Sequence, residues 1–194
     1  MPKLSEIKIT VSPWRPLSEA QRRRASSVAA NLVARLDLVT DWRLQKSYYL
    51  AEVWSIEERL RRLSEVEFAS WTHGPWSLHV REAEEALEAN GLLVRVRQQA
   101  KRRPEAEFLR IPQRSKLPPL EEPESEFLDA FAAQINYTPG ETLTKIAKAT
   151  VPFQSTKEKH LVDLDGYLEA LNKKHERFAR SRKVAKLVAQ AKAG

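Results

Sequence analysis

The stretch Leu44-Gln45-Lys46-Ser47-Tyr48-Tyr49-Leu50-Ala51-Glu52-Val53-Trp54-Ser55-Ile56 decides how this chain folds. At helical spacing, Leu44, Tyr48, Tyr49, Leu50, Ala51, Val53, Trp54 and Ile56 leave little polar face. A helix that is apolar nearly all round belongs at the buried centre of a bundle. Residues 42–60 are therefore expected to form a central helix, and the polar run Glu57, Glu58, Arg59, Arg61 and Arg62 ends it. Asp41 is expected to cap its start.

Working outward from that helix, Ser18 and Gln21 form a capping-box start. Ala25, Val28, Ala29, Leu32, Val33 and Leu36 follow at helical spacing, which predicts an amphipathic helix over 19–39. Residues 1–17, with Pro13, Trp14 and Pro16, read as an extended arm. On the other side lies Phe68-Ala69-Ser70-Trp71-Thr72-His73-Gly74-Pro75-Trp76-Ser77, dense in aromatic and turn residues. Gly-Pro is a strong break. Trp76, Val80, Ala83 and Leu87 then keep helical spacing, Pro75 is expected to start that helix, and Asn90-Gly91 ends it with a left-handed cap.

Residues 92–111 predict a β-hairpin, with Leu92, Val94 and Val96 on one side of its first strand. Its basic tip is Lys101-Arg102-Arg103. A proline-rich connector covers 112–123. Phe127, Leu128, Phe131 and Ile135 mark a further helix. Thr138-Pro139-Gly140-Glu141 predicts another, with Thr as cap, Pro in first position and Glu closing the box. Leu143, Ile146 and Ala147 form its stripe, and Thr150-Val151-Pro152-Phe153 closes it. A long C-terminal helix is expected to begin near Asp163–Asp165, with Gly166 weakening its first turn. The expected fold is mainly α: a compact helical domain over 18–155, a small hairpin, and a helical extension over 156–194.

The chain has 194 residues, 42% of them hydrophobic and 30% charged, with no cysteine. Disulfides and thiolate zinc sites are excluded, and a reducing, cytoplasmic setting is expected. No run approaches the roughly 18 apolar residues that span a bilayer, so no membrane role is expected. Met1 to Thr10 lacks a signal-type apolar core. The net charge of +7 is uneven: from Asn172 onward eight Lys/Arg face one acid, Glu176. Lys173, Lys174, Arg177, Arg180, Arg182, Lys183 and Lys186 are candidate partner-binding residues. Such a tail attracts nucleic acid or an acidic partner, or is simply a solvated helix face.

Positive signs of chemistry are missing. His73, His79, His160 and His175 form no metal-type pair. Five glycines supply no phosphate-cradling motif, and no serine sits in a nucleophile elbow. Glu57, Glu58, Glu84 and Glu85 read as solvated acids on helices. No catalytic residue, cofactor or metal is expected, and the chain is read as a non-enzyme. The run over 42–111 is loosely winged-helix-like, which would send residues 76–90 into the major groove and the 101–103 tip onto phosphates. Glu82, Glu84, Glu85 and Glu88, taken as exposed beside Arg81 alone, would repel that backbone.

The block from Leu44 to Trp54 resembles the "LQKLLYfA…W" helix of the Panacea domain, found in SocA-like antitoxins. Phe68 to Trp76 resembles that domain's "feAW.yGPv" block, at matching separation. Gly91-Leu92-Leu93 is similar to the glycine after its next helix. Thr138 to Phe153 looks like a later block, with Leu143 and Pro152 in step. The resemblance covers roughly 28–155. It departs at Ala149-Thr150 (Thr-His in the family), Phe153 (Trp), His73 (another aromatic) and Trp76 (a small aliphatic).

The resemblance implies a mostly helical bacterial or phage antitoxin. It would neutralise a toxin encoded by the adjacent gene, by direct binding or as a proteolytic adaptor. Leu44, Tyr49, Ala51, Trp54, Trp71, Gly74 and Pro75 carry the resemblance, and are expected mainly to pack. The second expectation is a nucleic-acid-binding protein using the tail and the hairpin tip.

Overall fold

The computed structural model describes residues 14–98 and 106–177. Helix α1 spans Glu19–Arg35 and opens with the expected capping box: Gln21 N–H donates to Ser18 Oγ at 3.3 Å, and Ser18 N–H donates to Gln21 Oε1 at 2.7 Å. It ends earlier than its pattern predicts. Leu38 turns to φ +50°, and Val39 bridges to Leu109 instead. Leu36 and Val39 are still buried, so the apolar pattern was satisfied by a strand edge rather than by another helical turn.

Helix α2, Asp41–Arg59, is the predicted centre. Its cap is Thr40, whose side chain accepts from Arg43 N–H at 3.2 Å; Asp41 does not cap it. Every residue from Leu44 to Val53 is buried, and α2 meets α1, α3 (Leu78–Ala89), α4 (Glu122–Ile135) and α5 (Gly140–Ala149). Helix α3 starts at Leu78, capped by Ser77, so Trp76 and Pro75 lie in the preceding turn and not in the helix. Gly91, at φ +67°, provides the left-handed exit.

Strands β1, Val94–Gln98, and β2, Ala106–Arg110, pair antiparallel, with Arg95 opposite Leu109. The predicted apolar side forms only in part: Leu92 packs against the core and Val96 is half-buried, but Val94 is 37% exposed, and Leu93, before the strand, is buried. The hairpin is held both by Leu109, which is buried in the main core, and by an ion-pair cluster around Arg95. The connector contains a 3-10 turn at Arg114–Lys116.

At α5 the predicted box is absent. Pro139 takes the cap position with no side-chain bond. Thr138 is held elsewhere: its N–H donates to Ile135 O at 2.9 Å and its carbonyl accepts from Arg43 Nη1 at 2.6 Å. After α6, Val151–Gln154, helix α7 covers 164–177. Asp163 Oδ1 accepts from Gly166 N–H at 2.8 Å, and a side chain at Gly166 would collide with that carboxylate. The glycine expected to weaken the first turn supplies the N–H that Asp163 caps. Val162 and Leu164 join the main core, whereas residues 173–177 are exposed on every side. The architecture is thus mainly helical with one small hairpin. No helix among the described residues is long and apolar enough to cross a membrane.

Candidate functional site

The two aromatic sequence blocks meet face to face. Gln45, on α2, clasps Ser77 from both sides: Nε2 donates to Ser77 O at 3.0 Å, and Oε1 accepts from Ser77 N–H at 2.8 Å. The residue that caps α3 is therefore held by α2. Next to it, Lys46 Nζ donates to Pro75 O at 2.7 Å. Gly74 sits at φ +88°, and a Cβ there would lie 3.2 Å from Thr144 Cγ2 and 3.3 Å from Lys46 Cε. Only glycine suits both the backbone and the space. Leu44, Tyr49 and Ala51 are fully buried, Gly74 and Pro75 are buried, and Trp54 packs edge-on against Phe131. Tyr49 Oη also bonds Thr150 Oγ1 at 2.8 Å, which ties α2 to the end of α5.

Lys46 is 2% exposed and makes no ion pair among the described residues. Burial, and then the nearby Lys148 charge, pull its ammonium down to about 7. Its Nζ lies 5.2 Å from the centre of the Trp42 ring. Trp42 in turn stacks on Trp71 at 5.8 Å and 11°, and His73 abuts both rings. Trp42 and Trp71 are half-buried, and His73 is exposed. Lys148 donates to Thr72 O at 3.1 Å, and Thr72 Oγ1 donates to Glu158 at 2.5 Å. An aromatic group with an unpaired positive charge thus reaches the surface at the Gly-Pro turn. Sequence reasoning singled out Trp71 but missed Trp42 and Lys148. The available signal was Trp42 four residues before Lys46, one turn away on the same helical face.

Three other charged clusters are internally paired. Arg95 of β1 reaches Asp41 at 2.9 Å, Glu88 at 3.1 Å and Glu107 at 3.4 Å, and pairs closely with Glu84. Glu84 is buried, which corrects its reading as a solvated acid. Burial and the Asp41 charge raise its carboxyl above the usual range, and Arg95 offsets part of this. Glu52 is wholly buried and accepts from Arg62 Nε at 2.9 Å, from Leu63 N–H at 3.1 Å and from Ser64 Oγ. A hollow of about 530 Å³ lies between α1 and the 61–65 segment, its walls including Arg24, Arg61, Glu121 and Glu124. Arg24 and Arg61 both pair with Glu124 there.

The end of the N-terminal arm is docked. Trp14 meets Trp76 and His79 edge-on, Arg15 N–H donates to Glu67 at 2.9 Å, and Leu17 is buried. His79 Nδ1 accepts from Glu67 N–H at 3.3 Å, so Nε2 carries the proton and donates to Arg15 O at 3.0 Å. Burial holds this ring below the ordinary histidine range, despite the acids nearby.

Of the predicted basic residues, Lys173, Lys174 and Arg177 are exposed on α7, and Lys173 pairs with Glu169 at 2.5 Å. Arg180, Arg182, Lys183 and Lys186 of the tail lie outside the described residues, as do Lys101, Arg102 and Arg103 of the hairpin tip. Among the described residues no group of three or more His, Asp or Glu is placed to hold a metal ion. Compared with known proteins, the chain matches no family model, no curated protein and no solved structure.

Proposed function

We propose that this chain is a protein-binding module of antitoxin type, which neutralises a partner toxin by direct contact. The observation that carries this reading is the Trp42–Trp71–His73 group at the surface of a tightly braced turn. Aromatic side chains on rigid supports are the usual anchors of protein interfaces, because little conformational freedom is lost when they are covered. The bracing comes from Gln45 and Lys46, which lie in the block that resembles the Panacea domain. The resemblance supplies the antitoxin part of the reading, and the surface supports the binding part. The toxin would be the product of the adjacent gene.

Co-expression tests the reading. The neighbouring gene product is expressed alone and together with this chain, and growth and co-purification are followed. The expected result is toxicity alone, rescue on co-expression, and a complex that survives gel filtration. A neighbour that is harmless alone, or rescue without any complex, defeats the proposal.

A further inference from the structure

Resting on the reading as a protein-binding module, we infer that the 71–75 turn takes an acidic protein segment with an apolar or aromatic side chain. The contact would seat the apolar group on Trp42, Trp71 and His73, and the acid near Lys148, Lys157 and Lys159.

Charge is the first argument. Lys148 is bonded to the turn itself, through Thr72 O. Lys157 and Lys159 lie in the adjoining loop, which is pinned beside the turn by Ser70 N–H to His160 O at 2.9 Å and Lys159 N–H to Ser70 O at 2.7 Å. All three lysines are exposed, and none forms an ion pair among the described residues. The acid that touches the turn is Glu158, which accepts from Thr72 Oγ1. Beneath them lies Lys46, unpaired, its proton weakly held because the site is dry and already positive. A carboxylate arriving outside would relieve this excess. Complementary charge of this kind steers encounter and selects partners.

Ring geometry is the second argument, and it favours a protein over a nucleic acid. Trp42 and Trp71 lie nearly parallel but offset, His73 stands edge-on to both, and Lys46 Nζ lies over the Trp42 ring, so both rings are already partly covered. Base stacking needs open ring faces. Side chains of a protein segment can pack against edges and the remaining faces. The turn is also rigid. Ala69 bridges both Trp76 and Leu161, Gly74 is wedged against Lys46 and Thr144, and Pro75 O is held by Lys46. A surface fixed before contact loses little freedom on binding.

The test uses the full chain and fluorescein-labelled short peptides, read by anisotropy. One peptide mixes Glu with Leu and Phe, a second replaces Glu by Lys, and a third keeps Glu but replaces Leu and Phe by Ser. A labelled oligothymidine is the nucleic-acid probe. The first peptide is expected to bind at least about tenfold tighter than any other probe. Lys148→Glu, a surface change, should weaken it by about tenfold, as should the pair Lys157→Glu and Lys159→Glu. Trp71→Ala should do the same, provided its melting curve stays cooperative.

The inference is overturned if the basic peptide binds as well, if Lys148→Glu changes nothing, or if oligothymidine binds best. Equal binding of the Ser-containing acidic peptide removes the role of the rings and overturns it too. The toxin complex separates the two readings. A complex that survives Lys148→Glu and Trp71→Ala sinks this surface and leaves the module reading intact. Peptide binding without any toxin complex does the reverse.

Discussion

Lys46, buried on the central helix, and Arg62, half-buried just past its end, are two cations treated in opposite ways. Each nitrogen of Arg62 has a partner: Nε donates to Glu52 at 2.9 Å, Nη1 to Asp165 at 2.6 Å and Nη2 to Val66 O at 2.7 Å. Lys46 has one carbonyl, Pro75 O, and the face of the Trp42 ring. The cost of burying Arg62 is outweighed by Glu52 and Asp165, which keep its proton firmly held. Lys46 has no such partner, and its proton is held only to about pH 7. A buried charge that is paired is part of the scaffold. A buried charge left unpaired beneath a surface is a place where something else can supply the partner.

The largest expected effect breaks the paired side. Glu52→Ala leaves Arg62 buried without its main counter-charge and frees Leu63 N–H and Ser64 Oγ. Removing one member of a buried pair costs about 3–5 kcal/mol. Urea denaturation should show that loss; a change below about 1 kcal/mol, the level of an exposed pair, would mean the pair is not structural.

The next effect sharpens the unpaired side. Below pH 7 the folded and unfolded chains both carry the Lys46 proton, so the burial penalty is felt in full. From about 7 to 10.5 the folded amine loses its proton first, and stability rises with pH. Above 10.5 both forms are neutral and the slope ends. Lys46→Met should stabilise the protein at pH 7 by about 1–3 kcal/mol, tempered by the donor lost to Pro75 O, and should flatten that slope. Melting temperatures between pH 6 and about 10 read both features. An unchanged slope in the variant would show that Lys46 is not its source.

The last effect, similar in size, concerns Gly74, beside Lys46. Gly74→Ala places a methyl group against Thr144 and Lys46 and forces an L-residue to a positive φ. The expected cost is about 1–3 kcal/mol. Melting with full retention of wild-type stability would show that the turn has more room than its geometry indicates.

How much was legible differs by region. The periodicity of 44–56 alone located the buried helix, because a run with no polar face can only be solvated badly. The Ser18–Gln21 box and the Gly91 exit were equally readable, since each depends on neighbours three or four residues away. The same local rule failed at Thr138, where Arg43, distant in sequence, claims the carbonyl. It also failed at Pro75 and Trp76, which read as helical by spacing but lie in the turn that α2 clasps.

The candidate site divides the same way. The aromatic turn could be found in the sequence, because Trp71, Gly74 and Pro75 lie within five consecutive residues. Trp42, Lys148 and the 157–160 loop could not be joined to it, since chain separation hides which surfaces share an edge. Glu84 shows the limit from the other side. Its sequence looks like a solvated helix face, yet Arg95 and the hairpin bury it.

The sequence by itself determined which segments are helical, where several begin and end, and which helix lies at the centre. Those outcomes follow from short-range periodicity and caps. Only the tertiary structure decided which charges are paired, which arm residues are docked and which aromatics share a surface. Each of those depends on groups far apart in the chain, whose desolvation and pairing exist only once the helices have packed.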